Sequence, residues 1–181
     1  MSPRANPLPR RPSLPPGRYA ALFACLFLFG IGLLLTPPVQ RVDVRFSHAL
    51  VSVSQQLITI CGGKASVEHA VLREPVTDFA IEMKDGCNGV NVMILLWAAV
   101  LAFPAAWKLK AVGIIVGTVV IQAVNIARFI SLFYIGQYSL GWFDFAHSYL
   151  WETLLILDTM VVFWVWVNRV TRRGAVSNAG I

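Results

Sequence analysis

Residues 84–103 read KDGCNGVNVMILLWAAVLAF, so a single cysteine, Cys87, separates a charged segment from a long apolar run. The composition is 57% hydrophobic and only 13% charged, which excludes an ordinary soluble domain. The apolar residues form four blocks, each close to the ~20 residues that a helix needs to cross a ~30 Å hydrocarbon core. These blocks are Tyr19–Leu35, Gly89–Trp107, Ala111–Ile135 and Ser148–Asn168. The sequence therefore predicts an all-α integral membrane protein with about four transmembrane helices.

Basic residues are concentrated in the segments before the first block, between the second and third, and after the fourth, and these segments contain no acidic residue. The positive-inside rule places such segments in the cytoplasm. The predicted order is a Pro-rich cytoplasmic tail over 1–18, a signal anchor over 19–35, an extracytoplasmic loop over 36–86, a three-helix membrane core over 87–168 and a cytoplasmic tail over 169–181. The net charge of +6 is then a topology signal, and we expect no nucleic-acid partner.

The long loop contains two segments with a recognisable period. Residues 39–60 carry apolar side chains at helical spacing, which is typical of an amphipathic helix on the membrane surface or of an ordinary loop helix. These are Val42, Phe46, Ala49 or Leu50, and Leu57. Farther on, Phe79, Ile81 and Met83 alternate with polar or small residues, which predicts a short strand.

Three residues that can do chemistry are expected at one level of the outer leaflet. Cys87 opens the second span from outside and His147 opens the fourth. Arg128 lies about 25 Å up the third helix from its cytoplasmic end, at about 1.5 Å per residue. A polar stripe at helical spacing on this third span predicts a face that points into the bundle. Its members are Thr118, Gln122, Asn125 and Arg128.

Further polar residues are expected to support these three. Asn88 follows the cysteine directly, Asn91 shares its helical face, and Asn125 belongs to the polar stripe. Glu152 is near enough in depth to pair with Arg128. Asp158, deeper in the fourth span, is expected to make a buried structural hydrogen bond, because a lone carboxylate in lipid is costly.

The chemistry that fits this set is acyl transfer. A thiol at a helix N-terminus beside cations favours the thiolate form, which is the nucleophile. In this arrangement Cys87 would attack a carbonyl, His147 would shuttle the proton to the leaving amine, and Arg128 would stabilise the oxyanion. No histidine spacing suits a metal site, and we expect no metal or other cofactor.

The segments 85-DGCNGVN-91 and 125-NIAR-128, together with His147, resemble the exosortase/archaeosortase family of membrane-embedded, sortase-like cysteine transpeptidases. The resemblance covers about residues 75–168 and is nearest to the compact exosortase H subfamily. It implies the same roles for the cysteine, arginine and histidine, and a bacterial inner-membrane location with the site facing the periplasm. It also implies substrates that are exported proteins with a C-terminal sorting tail: a motif of the IPTL-x-x-W-G type, a membrane helix and a basic cluster. These proteins and membrane lipid are the expected partners.

The sequence is also compatible with two other functions. Cys61 shares the predicted outer side with Cys87, so a Cys61–Cys87 disulfide and a four-span thiol oxidoreductase are alternatives, although a Cys-x-x-Cys pair is absent. A non-catalytic membrane scaffold would also explain the spans. Cys25, in the first span, is expected to be inert packing.

Overall fold

The computed structural model describes residues 16–84 and 86–176, and within them lie six α-helices. These are α1 Pro16–Leu34, α2 Pro37–Ile60, α3 Val90–Ala102, α4 Trp107–Tyr138, α5 Leu140–Phe145 and α6 Trp151–Val176. A π-helical turn, Ala146–Leu150, joins α5 to α6. The protein is therefore mostly helical, as predicted.

Among the described residues, three helical segments are long and apolar enough to cross a membrane: Gly17–Leu34, Trp107–Tyr138 and Leu140–Arg172. The predicted multi-pass membrane protein is thus confirmed, but the predicted count of four spans is not. The second predicted span contains only α3, with 13 residues, or about 20 Å of helix. The helix ends at Phe103, whose extended backbone is the conformation expected of a residue that precedes a proline.

The predicted loop over 36–86 contains α2 and a small antiparallel sheet in the order β1-β2-β3. Its strands are β1 Ser66–Glu68, β2 Val71–Arg73 and β3 Ala80–Glu82. The strand predicted around Ile81 is present, with Ile81 buried. The all-α prediction is therefore incomplete, because β1 and β2 lack the alternation of large apolar residues that extends beyond both ends of β3.

The α2 helix packs against the sheet and α4 through a stripe that matches the predicted apolar face in part, since Leu50 is buried and Phe46 is partly buried. Val42 and Leu57, two members of the predicted face, are 63% and 40% exposed. The buried stripe mixes apolar residues with serines, whose hydroxyls donate to backbone carbonyls of the helix's own preceding turn. It consists of Ser47, Leu50, Val51, Ser54 and Ile58.

Two hydrophobic clusters hold the helices and the sheet together. The first lies between α2, the sheet and the later half of α4, and Cys87 packs against it; its largest buried side chains include Phe129 and Phe133. The second lies between α3, α4 and α6 and contains Leu96, Ile121 and Trp166. Cys87 therefore lies against the first cluster, three residues before α3 begins.

Candidate active site

Cys87, Arg128 and His147 line one cavity, although they belong to three different parts of the chain. The cavity has a volume of about 40 Å³, which is room for about one water molecule. A larger molecule would therefore meet the thiol at the mouth of the cavity. The remaining walls come from β3, α4 and α5, through Ile81, Glu82, Phe129, Leu132 and Phe143.

The thiol and the imidazole face each other directly. Cys87 Sγ lies 3.7 Å from His147 Nε2, within reach of a sulfur hydrogen bond, and both residues are partly buried. His147 belongs to the π-helical turn, and its ring stacks on Phe143 with centroids 5.7 Å apart and an interplanar angle of 20°. Single π-helical turns are rare and are frequent at functional sites. Here the turn presents the histidine to the cysteine.

Arg128 brings a positive charge to the same cavity from α4. Its side chain is 8% exposed, and among the described residues no carboxylate lies within 4.0 Å of its guanidinium. A buried guanidinium without a hydrogen-bond partner among those residues is suited to an oxygen that becomes negative during a reaction. The arrangement combines a thiol, an imidazole and a guanidinium.

Asn88 fixes the position of the cysteine loop. Its side chain is 1% exposed, and its Nδ2 donates to Asp43 Oδ1 at 2.6 Å and to Ser47 Oγ at 3.1 Å, both on α2. Its Oδ1 accepts from the backbone N–H of Val90 at 3.1 Å. The amide therefore links α2 to the first turn of α3, directly beside Cys87.

Gly89 allows α4 to approach this loop closely. Its backbone has φ of +77°, in the left-handed region that favours glycine. A Cβ there would lie 3.2 Å from Gln122 Nε2 and 3.4 Å from Asn125. Gln122 Nε2 donates to the backbone oxygen of Asn88 at 3.1 Å. The loop is thus held from α4 as well as from α2.

The polar stripe of α4 points into the bundle, as predicted, and Thr118, its first member, contacts α3. Trp97 Nε1 on α3 donates to Thr118 Oγ1 at 2.9 Å. Asn125 is fully buried, and neither polar atom of its side chain has a partner among the described residues; Gln122 Oε1 is also buried without one. Buried amide groups without partners are costly and mark a place where water or a ligand group fits. The stripe therefore keeps unused hydrogen-bonding capacity beneath the cysteine loop.

Three predicted supporting residues lie elsewhere or lack the expected partner. Asn91 is exposed, beside Gly86 at the surface of the loop. Glu152 is exposed, does not line the cavity and forms no ion pair with Arg128. The hydrogen bond expected for Asp158 is not found at Oδ2, which is buried without a partner among the described residues.

The other two cysteines are separate from the cavity, and all three thiols are free. Cys61 ends α2, about 27 Å along that helix from Asp43 at about 1.5 Å per residue. Asp43 lies beside the cysteine loop, and a disulfide needs Cα atoms within about 7 Å, so a Cys61–Cys87 bond does not fit this fold. Cys25 was expected to be packed, but it is exposed on α1, a peripheral helix.

Asp43 and Ser47 are the site residues that the sequence analysis missed. Asp43 is the only acidic residue in α2 and precedes Ser47 by about one helical turn. That spacing places both side chains on one face of the helix. It is the feature of the sequence that could have predicted a polar contact there.

Comparison with known proteins gives one match. The family model described as transmembrane exosortase matches residues 16–167. No curated protein and no solved structure matches the chain. The matched region is most of the chain and includes the whole cavity with its cysteine, arginine and histidine. The chain therefore belongs to the transmembrane exosortase family.

Proposed function

We propose that the protein is a membrane-embedded cysteine transpeptidase that cleaves the C-terminal sorting tail of exported proteins through a thioester on Cys87. The observation that supports this proposal best is the 3.7 Å approach of Cys87 Sγ to His147 Nε2. Arg128 lines the same cavity. A nucleophile, a base within hydrogen-bonding reach and an oxyanion donor are the groups that acyl transfer requires.

The reaction proceeds in two halves. His147 takes the proton from the Cys87 thiol, and the thiolate attacks the scissile carbonyl carbon. Arg128 stabilises the oxyanion while the C–N bond breaks, and His147 returns the proton to the leaving amine. The acyl group is then bonded to Sγ. An acceptor amine or water attacks the thioester, gives its proton to His147, and releases the product and the free thiol.

The substrates in this proposal are tethered to the membrane by the tail that is cleaved. The cavity faces the periplasm of a bacterial inner membrane, in keeping with the basic segments predicted to be cytoplasmic. The small volume of the cavity, about 40 Å³, admits the reacting carbonyl while the peptide on either side lies along the surface.

No specific observation favours either of the two alternative functions, a thiol oxidoreductase or a non-catalytic scaffold. A thiol oxidoreductase needs a second thiol near Cys87, and Cys61 is at the far end of α2. A scaffold needs no polar group in the membrane core, where each one costs free energy unless it has a partner.

Intact mass spectrometry tests the proposal. The wild-type protein and Cys87→Ala are each co-expressed with a reporter that ends in an IPTL-x-x-W-G-type motif, an apolar helix and a basic tail. We expect a hydroxylamine-labile adduct of a reporter fragment on the wild type and on the matched control Cys61→Ala, and none on Cys87→Ala. A wild-type mass two daltons low that reduction restores, without an adduct, would instead identify a redox protein.

A further inference from the structure

A large apolar groove begins at the cysteine loop. It has a volume of about 700 Å³ and is lined by α1, α2, α3 and α4. The α3 helix contributes one continuous face, from Val90 to Leu101, which is about 17 Å of helix or three turns. Val90 is the first residue of α3, three residues after Cys87. The groove and the cavity are therefore adjacent, but the groove is far larger and almost wholly apolar.

The end of the groove nearest Cys87 is polar. Asp43 and Gln122 both line this end, and both form hydrogen bonds with Asn88 in the cysteine loop. Asp43 brings a carboxylate, and Gln122 Oε1 is a buried acceptor with no partner among the described residues. This end of the groove therefore has a negative charge and a hydrogen-bond acceptor, both at the depth of the thiol.

We propose that this groove binds the N-terminal half of the substrate's membrane helix, directly after the scissile bond. The inference rests on the proposed function, in which the cleaved tail contains such a helix. The first four N–H groups of any helix lack partners within the helix, and its N-terminus carries a partial positive charge. A carboxylate and a free carbonyl oxygen are the groups that complement that end. The apolar face of α3 then packs against about three turns of the docked helix.

The polar end also distinguishes this occupant from a phospholipid. A lipid with its acyl chains in the groove would bring its phosphate to the level of Asp43, where two negative charges repel each other. The basic neighbours of Asp43 in sequence, Arg41 and Arg45, are exposed and do not line the groove. The charge at the groove therefore favours a helix N-terminus over an anionic headgroup.

Photo-cross-linking tests which molecule occupies the groove. Trp97 lines the groove, whereas Trp164 is 65% exposed on α6 and does not. Each is replaced in turn by p-benzoylphenylalanine in a Cys87→Ala background, which keeps the reporter uncleaved. We expect position 97, and not position 164, to cross-link to the first turns of the reporter's helix. Cross-links from position 97 to lipid alone, or to a second copy of the chain, would overturn the inference.

A matched pair of bulky substitutions supplies a functional readout. Val42 lines the groove and is 63% exposed; Val119, on α4, is 64% exposed and does not line it. Neither change disturbs a buried residue, so both variants should fold and keep Cys87 reactive toward iodoacetamide. We expect Val42→Trp to lower thioester formation about tenfold or more, with Val119→Trp close to wild type.

The outcomes separate the two proposals. Equal acylation of Val42→Trp and Val119→Trp, with the wild type also acylated, would exclude the groove as the docking site and leave the transpeptidase standing. A wild type that forms no adduct with the reporter would refute the proposed function for this tail, and the groove inference would fail with it.

Discussion

Cys87 Sγ lies 3.7 Å from His147 Nε2, and each residue owes its position to a local irregularity of the backbone. Cys87 belongs to a loop whose Gly89 has positive φ and whose Asn88 is bonded to α2. His147 belongs to a π-helical turn between two α-helices. Substitutions at the pair should therefore change the chemistry directly. Substitutions at the loop or around the turn should act through the distance between the two side chains.

Replacing His147 by Ala should remove the base. We expect thioester formation to fall by about 10²–10⁴-fold, the usual contribution of a positioned acid/base group. Alkylation of Cys87 at pH 7 should slow as well, because no neighbour takes the thiol proton. Both rates are measured by mass spectrometry in a Cys25→Ala/Cys61→Ala background, so that Cys87 is the only reactive thiol. Unchanged alkylation together with unchanged acylation would exclude His147 from the mechanism.

Replacing Arg128 by Lys should separate thiol activation from oxyanion stabilisation. Lysine keeps the charge but lacks the planar fork of donors. Loss of one oxyanion donor costs about 10²–10³-fold in rate, so we expect a drop of this order in acylation by the reporter. Alkylation of Cys87 by iodoacetamide forms no oxyanion and should stay near wild type. An equal loss in both assays would mean that Arg128 shapes the cavity and does not act on the substrate.

Asp43 should position the cysteine loop through Asn88. Asp43→Ala leaves a buried amide donor of Asn88 with one partner fewer, which costs about 1–3 kcal/mol. We expect a lower thermal midpoint in detergent and slower alkylation of Cys87. Asp43→Asn keeps an oxygen that accepts from Asn88 Nδ2, so it should restore much of both. If Asn behaves like Ala in both assays, the charge of Asp43 matters more than its hydrogen bond.

The meeting of Cys87, Arg128 and His147 in one cavity follows the depth argument made from the sequence. Helical rise and charge distribution fix the level of each residue in a span, and polar periodicity fixes the face of α4 that points inward. These quantities are local, so a single sequence contains them. Glu152 does not pair with Arg128, because depth in a span does not determine the direction of a side chain and the π-helical turn intervenes.

The residues that hold the site in place were harder to predict from the sequence. Asn88 and Asp43 form a hydrogen bond although they are 45 positions apart in the sequence. Only the packing of α2 against the cysteine loop brings them together. The first two strands, SVE and VLR, show no alternation of large apolar residues like the one that runs through and beyond β3. Cys25 was expected inside the bundle because thiols are usually buried, yet in lipid an exposed apolar side chain has no penalty.

Cys61 should be dispensable for transpeptidation. It ends α2, far from the cavity, so Cys61→Ala should acylate at the wild-type rate. Cys25→Ala, on the outside of α1, is the matched control for loss of a distant thiol. The measurement is the fraction of protein that carries the reporter adduct over time. Complete loss of the adduct in Cys61→Ala, but not in Cys25→Ala, would instead support a thiol oxidoreductase that uses two cysteines.

Gly136 should transmit a packing change to the pair of Cys87 and His147. A Cβ at Gly136 would overlap the Phe79 ring, so alanine there must displace that ring. Phe79 packs edge-on against Phe143, which in turn stacks on His147. We expect Gly136→Ala to cost about 1–3 kcal/mol, as overpacking usually does, and also to slow alkylation of Cys87.

Gly32→Ala is the matched control for that change, because Gly32 is a helical glycine with nothing within 4 Å of its added Cβ. Alanine is favoured over glycine within a helix by about 0.5–1 kcal/mol, so this variant should be as stable as wild type or slightly more stable, with normal alkylation. The two measurements are the thermal midpoint in detergent and the alkylation rate. A destabilised Gly136→Ala with a normal alkylation rate would show that the aromatic contacts support the fold without setting the distance between Cys87 and His147.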